Sequence, residues 1–169
     1  MRRQVFSLLV RNNAGLLSRV AGLFSRRGYN IDSITSGPTM NKRVTRITVV
    51  ATGDEQILSQ IRKQLAKLED VLDIKVLEPG VSVFRELILV KVSASAAQRG
   101  EIISIADIFR AKIVDVEATS LVLEMTGDQS KVEALLDLLS AYGILELART
   151  GITGLSRGAE DIKFFDDLD

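Results

Sequence analysis

The feature that most constrains the fold is an internal repeat of one strand and helix pattern. Residues 3–10 and 85–92 are matching strand-like segments 82 residues apart, and each is followed by an apolar stripe at helical spacing. Further along each copy, Thr52-Gly53-Asp54-Glu55 and Thr126-Gly127-Asp128-Gln129 resemble helix-capping boxes, and these are 74 residues apart. The repeat therefore predicts two domains of one fold, the second shorter by eight residues around the loop at Gly37-Pro38.

Within each copy the order of elements is β-α-β-β-α-β. The first copy predicts one helix after Gly15 and a second that begins at the Thr52 capping box. It also predicts a left-handed cap at Gly28 and strands over 4–10, 29–35, 45–51 and 72–76. This is the split β-α-β order of ferredoxin-like domains, so the predicted class is α+β, with two tandem βαββαβ domains and antiparallel sheets. The predicted domains are 1–78 and 81–158, followed by an acidic tail, 159–169, expected to be flexible.

Composition excludes several classes of function. The chain has no Cys and no His, which removes disulfides, thiolate nucleophiles, imidazole bases and most transition-metal sites. Lys and Arg number 22 and Asp and Glu also 22, so no net positive charge attracts nucleic acid. No apolar run approaches the ~20 residues of a membrane span, and no signal-peptide pattern follows Met1, so the expected location is cytoplasmic.

The best candidate for a ligand site is the entrance to the first helix, Asn12-Asn13-Ala14-Gly15-Leu16. Free amides at a helix N-terminus, together with the helix dipole, bind carboxylates, and glycine allows a ligand close to the backbone. The alternative is that Asn13 is only an N-cap and Gly15 only a turn residue. The second copy has Ala94 and Ala97 at the positions of Asn12 and Gly15, which assigns any carboxylate site to the first copy.

An oligomer interface is also indicated. The strand over 29–35 is expected at a sheet edge, where unpaired backbone groups favour pairing with another chain. A homodimer through that edge is the simplest arrangement.

Several motifs together resemble the small, regulatory subunit of acetolactate synthase (acetohydroxyacid synthase). The resemblance covers 3–158 and is carried by Asn12-x-x-Gly15-x-Leu17-Ser18-Arg19-Val20, Gly22-Leu23-Phe24, Arg27-Gly28-Tyr29-Asn30-Ile31, Ala148-Arg149-Thr150-Gly151 and Gly154-Leu155-Ser156-Arg157-Gly158. It implies an N-terminal ACT domain and a second ferredoxin-like domain similar to the ligand domain of a nickel-responsive repressor.

The resemblance also implies a function in branched-chain amino acid (valine, isoleucine and leucine) biosynthesis. Such a chain would be a homodimer without catalytic activity that binds and activates the large catalytic subunit and confers feedback inhibition by valine. Thiamine diphosphate, Mg and FAD would belong to the catalytic subunit, and no cofactor or metal is expected here. The resemblance does not distinguish valine from isoleucine as the effector, because one methylene is worth only ~1–3 kcal/mol.

The implied effector site spans two ACT domains. Asn12, Gly15 and Leu16 would contact the amino acid from one domain, and Asn30 and Ile31 from its neighbour, with Asn13 and Ala14 in the same loop. Candidate contacts with the catalytic subunit, where the resemblance is also tight, are Arg149, Gly151, Leu155 and Arg157. Two other functions remain open: a free-standing amino-acid sensor acting in transcription, although no helix-turn-helix or basic face is evident, and an independent enzyme, although no acid–base pair is evident.

Overall fold

A computed structural model describes residues 1–159, which form two compact units: 1–83 with the segment from Ile152 onward, and Phe84–Gly151. The elements in chain order are β1 (Arg2–Arg11), α1 (Leu16–Arg27), β2 (Ile31–Pro38), β3 (Val44–Gly53), α2 (Glu55–Ala66), β4 (Val71–Leu77), β5 (Ser82–Ser93), α3 (Arg99–Phe109), β6 (Lys112–Val116), β7 (Ser120–Gly127), α4 (Gln129–Ser140), β8 (Ile144–Arg149) and β9 (Thr153–Ser156). None of the helices in 1–159 has the length and apolar character needed to cross a membrane.

The first unit is a four-stranded antiparallel sheet in the order β2-β3-β1-β4, so β2 is an edge strand as predicted. Alternate residues of β1 face the two helices, and Phe6, Leu8 and Val10 are buried with residues from α1 and α2. Side chains on one side of a strand share one face of a sheet. The helices therefore cover a single face of the sheet, and the β1–α1 loop begins where the central strand β1 ends.

The second unit repeats this arrangement with the sheet order β6-β7-β5-β8. Its core is built from alternate residues of β5 and β7, including Ile88, Val90 and Leu123, against the apolar faces of α3 and α4. The predicted α+β fold with two βαββαβ units is confirmed.

The shortening of the second copy lies mainly in the β-hairpin, as predicted. β6 has 5 residues where β2 has 8, and β7 has 8 where β3 has 10. The predicted bounds of β2 were wrong, because the strand continues through Gly37-Pro38 and the loop lies at 39–43. Proline is tolerated there because β2 is an edge strand whose outer N–H groups need no partner in the sheet.

The predicted N-terminal caps of α2 and α4 were each displaced by two residues. Asp54, not Thr52, caps α2 by accepting the Ile57 N–H at 2.8 Å, while Thr52 lies in β3 and donates to Asp32. Asp128 caps α4 in the same way. A carboxylate on the residue directly before the helix accepts the N3 amide without bending the strand, so it takes the role expected of the threonine.

The segment from Ile152 joins the first unit, whereas the sequence placed 152–158 in the second domain. The Ile152 N–H donates to Ser33 Oγ at 3.2 Å, and Thr35 Oγ1 donates to the Ile152 carbonyl at 3.3 Å. Strand β9, which the sequence did not predict, pairs with β5, whose first two residues, Ser82 and Val83, belong to the first unit. The predicted acidic tail lies outside the described residues, apart from Ala159.

Candidate functional site

The β1–α1 loop is held at its start by backbone hydrogen bonds. The Asn12 N–H donates to the Arg43 carbonyl and the Asn13 N–H to the Arg11 carbonyl, each at 2.8 Å. Gly15 then adopts φ +81° and ψ 0°, a left-handed conformation that suits glycine, and α1 begins at the next residue. Gly15, not Asn13, is therefore the N-cap residue, and the N-cap alternative for Asn13 was wrong.

The first turn of α1 differs from the other three helix starts in residues 1–159. It has neither a side-chain cap nor an acidic residue, whereas α2 and α4 are capped by aspartates and α3 has Glu101 in its first turn. The Leu16 N–H reaches the Asn13 carbonyl only at 3.4 Å. Amide donors and the positive end of the helix dipole thus remain available for an anion at this loop.

A buried carboxylate, that of Asp70, holds the loop in place. Asp70, in the connection between α2 and β4, accepts the Asn13 Nδ2 hydrogen at 2.7 Å and also pairs with Arg19 of α1. Its own carbonyl accepts the Arg11 N–H at 2.8 Å. The hydrogen bond from Asn13 lowers the pKa of Asp70, and the Arg19 guanidinium lowers it further, against the opposing effect of burial.

These groups border a cleft of about 320 Å³. Its lining residues are Arg11, Asn13, Leu16, Arg19, Leu68, Glu69 and Asp70. The Leu16 side chain is only 5% exposed and packs in the core, so it offers its backbone N–H rather than an apolar wall. Sequence reasoning missed Asp70, which lies 57 residues from Asn13 and belongs to no recognisable motif.

Asn30 and Ile31 lie at the opposite end of the same sheet. Ile31 starts β2 and pairs with Ala51, which pairs with Gln4, whereas the candidate loop follows Arg11. The seven residue-to-residue steps from Gln4 to Arg11 correspond to roughly 23 Å of strand at about 3.3 Å per residue. One chain therefore does not bring Asn30 and Ile31 together with the loop.

The four candidate partner contacts are divided between the units. Arg149, in the second unit, pairs with the buried Glu86 at 2.5 Å and with Glu133 at 3.2 Å, and the hydrogen bond to Glu86 raises its pKa. Gly151 follows with φ +85°, as expected of a turn residue. In the first unit, the Leu155 side chain is 57% exposed, and the Arg157 N–H donates to the Val81 carbonyl at 2.8 Å.

Hydrogen-bond donors are the chemistry that the candidate loop offers. Within the described part of the chain, no group of three or more His, Cys, Asp or Glu side chains could hold a metal ion. A small carboxylate that accepts backbone and amide N–H groups is the ligand best matched to this loop.

Comparison with known proteins identifies the family. A family model described as the small subunit of acetolactate synthase matches residues 85–158, and one described as the AHAS small subunit-like ACT domain matches residues 6–73. A probable acetolactate synthase small subunit from Methanothermobacter thermautotrophicus is 51% identical over 156 residues, which cover 92% of this chain and 93% of that protein. The chain belongs to the acetolactate synthase small-subunit family.

Other members of the acetolactate synthase small-subunit family support the same assignment. The small subunit from Mycolicibacterium smegmatis is 48% identical over 92% of both chains. The crystal structure of the small subunit from Thermotoga maritima is 38% identical, covers 95% of this chain and 100% of its own, and superposes with a TM-score of 0.86. The resemblance inferred from the motifs is confirmed.

Proposed function

We propose that this chain is the regulatory subunit of an acetolactate synthase, which binds and activates the catalytic subunit and makes it sensitive to valine. Membership of the small-subunit family supports this function. The absence of His and Cys from the sequence also favours a regulatory role, because it removes the commonest general acid–base side chain and the most readily activated nucleophile. Thiamine diphosphate, Mg and FAD would then act in the catalytic subunit.

The observation that carries the effector assignment is the uncapped first turn of α1 behind the left-handed Gly15. The carboxylate of an amino acid would accept hydrogen bonds from the free amides there, and Asn12 would contribute its exposed side chain. A zwitterion needs such local donors more than a net protein charge, and the net charge of this chain is zero.

A homodimer through β2 would complete the site. β2 is an edge strand, and its outer backbone groups face no other strand of residues 1–159. If two β2 strands pair antiparallel, the two sheets run in opposite directions. Asn30 and Ile31 of the partner subunit would then lie at the end of the sheet where the β1–α1 loop is, whereas the same residues of its own chain lie at the other end. Ile31, half-buried, would supply part of an apolar surface for a branched side chain.

Calorimetric titration of the purified protein tests this site. We expect saturable heat with valine, leucine or isoleucine and none with aspartate, because burying its second carboxylate against the apolar surface of Ile31 would cost desolvation energy. Absence of binding by all three branched-chain amino acids would contradict the effector assignment.

A further inference from the structure

Asp70 connects three parts of the first unit that the effector loop depends on. One carboxylate oxygen accepts Asn13 Nδ2 at 2.7 Å, the other pairs with Arg19, and the Asp70 carbonyl accepts the Arg11 N–H. The Asp70 side chain is 12% exposed and that of Arg19 is 47% exposed, so the carboxylate is shielded from water while the guanidinium is partly hydrated. Charge-assisted hydrogen bonds in such surroundings are among the stronger polar interactions in proteins.

Arg19 extends this connection to the residue at the centre of the loop. Its backbone N–H donates to the Gly15 carbonyl at 3.0 Å. A Cβ atom added to Gly15 would lie 3.3 Å from Arg19 Nη1, which places the guanidinium directly against the left-handed glycine. Asp70 thus holds a cation beside the amides of the first turn of α1.

We infer that Asp70 is the positioning residue of the effector site and acts through Asn13 and Arg19 without touching the effector. The inference rests on the proposed function and deepens it. A carboxylate that binds this loop needs its amides in one arrangement, and Asp70 holds that arrangement from both sides: Asn13 before Gly15 and Arg19 after it. Removal of Asp70 leaves the loop sequence intact but frees both side chains.

The inference predicts non-additive losses of effector binding. Asp70→Ala and Arg19→Ala should each weaken valine binding about tenfold or more, because each removes a charge-assisted bond. The double variant should bind about as weakly as Asp70→Ala alone, because the two residues act as one unit. Glu78→Gln is the control, because it also removes a carboxylate charge that pairs with an arginine, Arg2. Glu78 is exposed, however, and lies elsewhere in the first unit. It should bind valine like the parent.

Two readouts separate positioning from a general loss of structure. Activation of the catalytic subunit should be unchanged in Asp70→Ala, while the valine concentration needed for inhibition rises by the same factor as the dissociation constant. Amide hydrogen exchange without any ligand should accelerate at Asn13 and Arg19, whose N–H groups donate to the Arg11 and Gly15 carbonyls, in Asp70→Ala and not in Glu78→Gln. Exchange over 55–66 should be unchanged in both variants.

The outcomes distinguish this inference from the function it rests on. Valine binding by the parent together with binding by Asp70→Ala within twofold of it would overturn the role of Asp70 alone. Unchanged exchange at the Asn13 and Arg19 amides in Asp70→Ala would overturn it too, without any ligand. If exchange is faster in Asp70→Ala than in the parent but the parent does not bind valine, the effector assignment is overturned, and the positioning role with it.

Discussion

Replacement of Gly15 by aspartate tests the effector site at its centre. Gly15 has φ +81°, a conformation that costs an L-residue about 1–2 kcal/mol, although Asn and Asp tolerate it best. Gly15→Asn therefore matches Gly15→Asp in shape and backbone strain and differs only in charge. Gly28→Asn places the same strain at the other end of α1, where φ is +67° and no atom lies within 4 Å of an added Cβ.

The expected loss of valine affinity in Gly15→Asp follows from the distance between two carboxylates. An aspartate at position 15 would stand about 4 Å from an effector carboxylate at the helix start, a repulsion of about 4 kcal/mol at an effective dielectric constant of 20. Arg19 Nη1, which would lie 3.3 Å from the new Cβ, offsets part of this. If half remains, about 2 kcal/mol, valine should bind about 30-fold more weakly.

Calorimetry with valine on the four proteins gives the comparison. Gly28→Asn should bind like the parent, Gly15→Asn less than tenfold more weakly, and Gly15→Asp about 30-fold more weakly or without measurable heat. Equal affinity of Gly15→Asp and Gly15→Asn would refute the placement of a carboxylate at this loop.

Three further predictions concern stability and are measured by urea unfolding. The pKa of Asp70 is lowered in the folded chain, chiefly by the hydrogen bond from Asn13, so its contribution to the free energy of unfolding is complete above the ordinary carboxyl pKa of about 3.9 and is lost as the pH falls. The difference in unfolding free energy between the parent and Asp70→Asn should therefore shrink below about pH 4, and a constant difference from pH 7 to pH 2 would contradict this. Ile61→Ala, at a fully buried position, should lower the free energy of unfolding by about 2–5 kcal/mol. Asp128→Ala should cost about 1 kcal/mol through the lost cap of α4, and no loss would argue against that cap.

The order of elements could be predicted because it depends on local patterns. Apolar residues at helical spacing are visible in the sequence, and those of α1, α2 and α4 are buried in the structure. The hairpin difference between the copies was also visible, because the offset between matching motifs changes from 82 to 74. Gly28 caps α1 in the left-handed conformation that its position predicts.

Element ends were less predictable because they depend on which of several similar groups forms a bond. Thr52 and Asp54 are both acceptable caps, and only the path of β3 decides that Thr52 remains in the strand. In the second unit, Ser95 exchanges hydrogen bonds with Gln98 across a turn, and α3 begins only at Arg99.

Contacts between distant residues were outside the reach of the sequence. Strand β9 has only 4 residues and depends on its pairing with another strand, so its own sequence shows no pattern that predicts it. Asp70 likewise reads as an ordinary loop residue until the fold brings it to Asn13 and Arg19. The loop of the candidate site could be named from the sequence, whereas the groups that hold it in place could not.

Reconstitution with the catalytic subunit from the same organism tests the central claim most directly. Acetolactate formation is measured for the catalytic subunit alone, with this chain, and with Gly15→Asp, each with and without valine. The account predicts that both forms of the chain raise the activity and that valine lowers it only with the parent chain. No change in activity on adding the parent chain, or equal inhibition by valine with Gly15→Asp, would contradict the account.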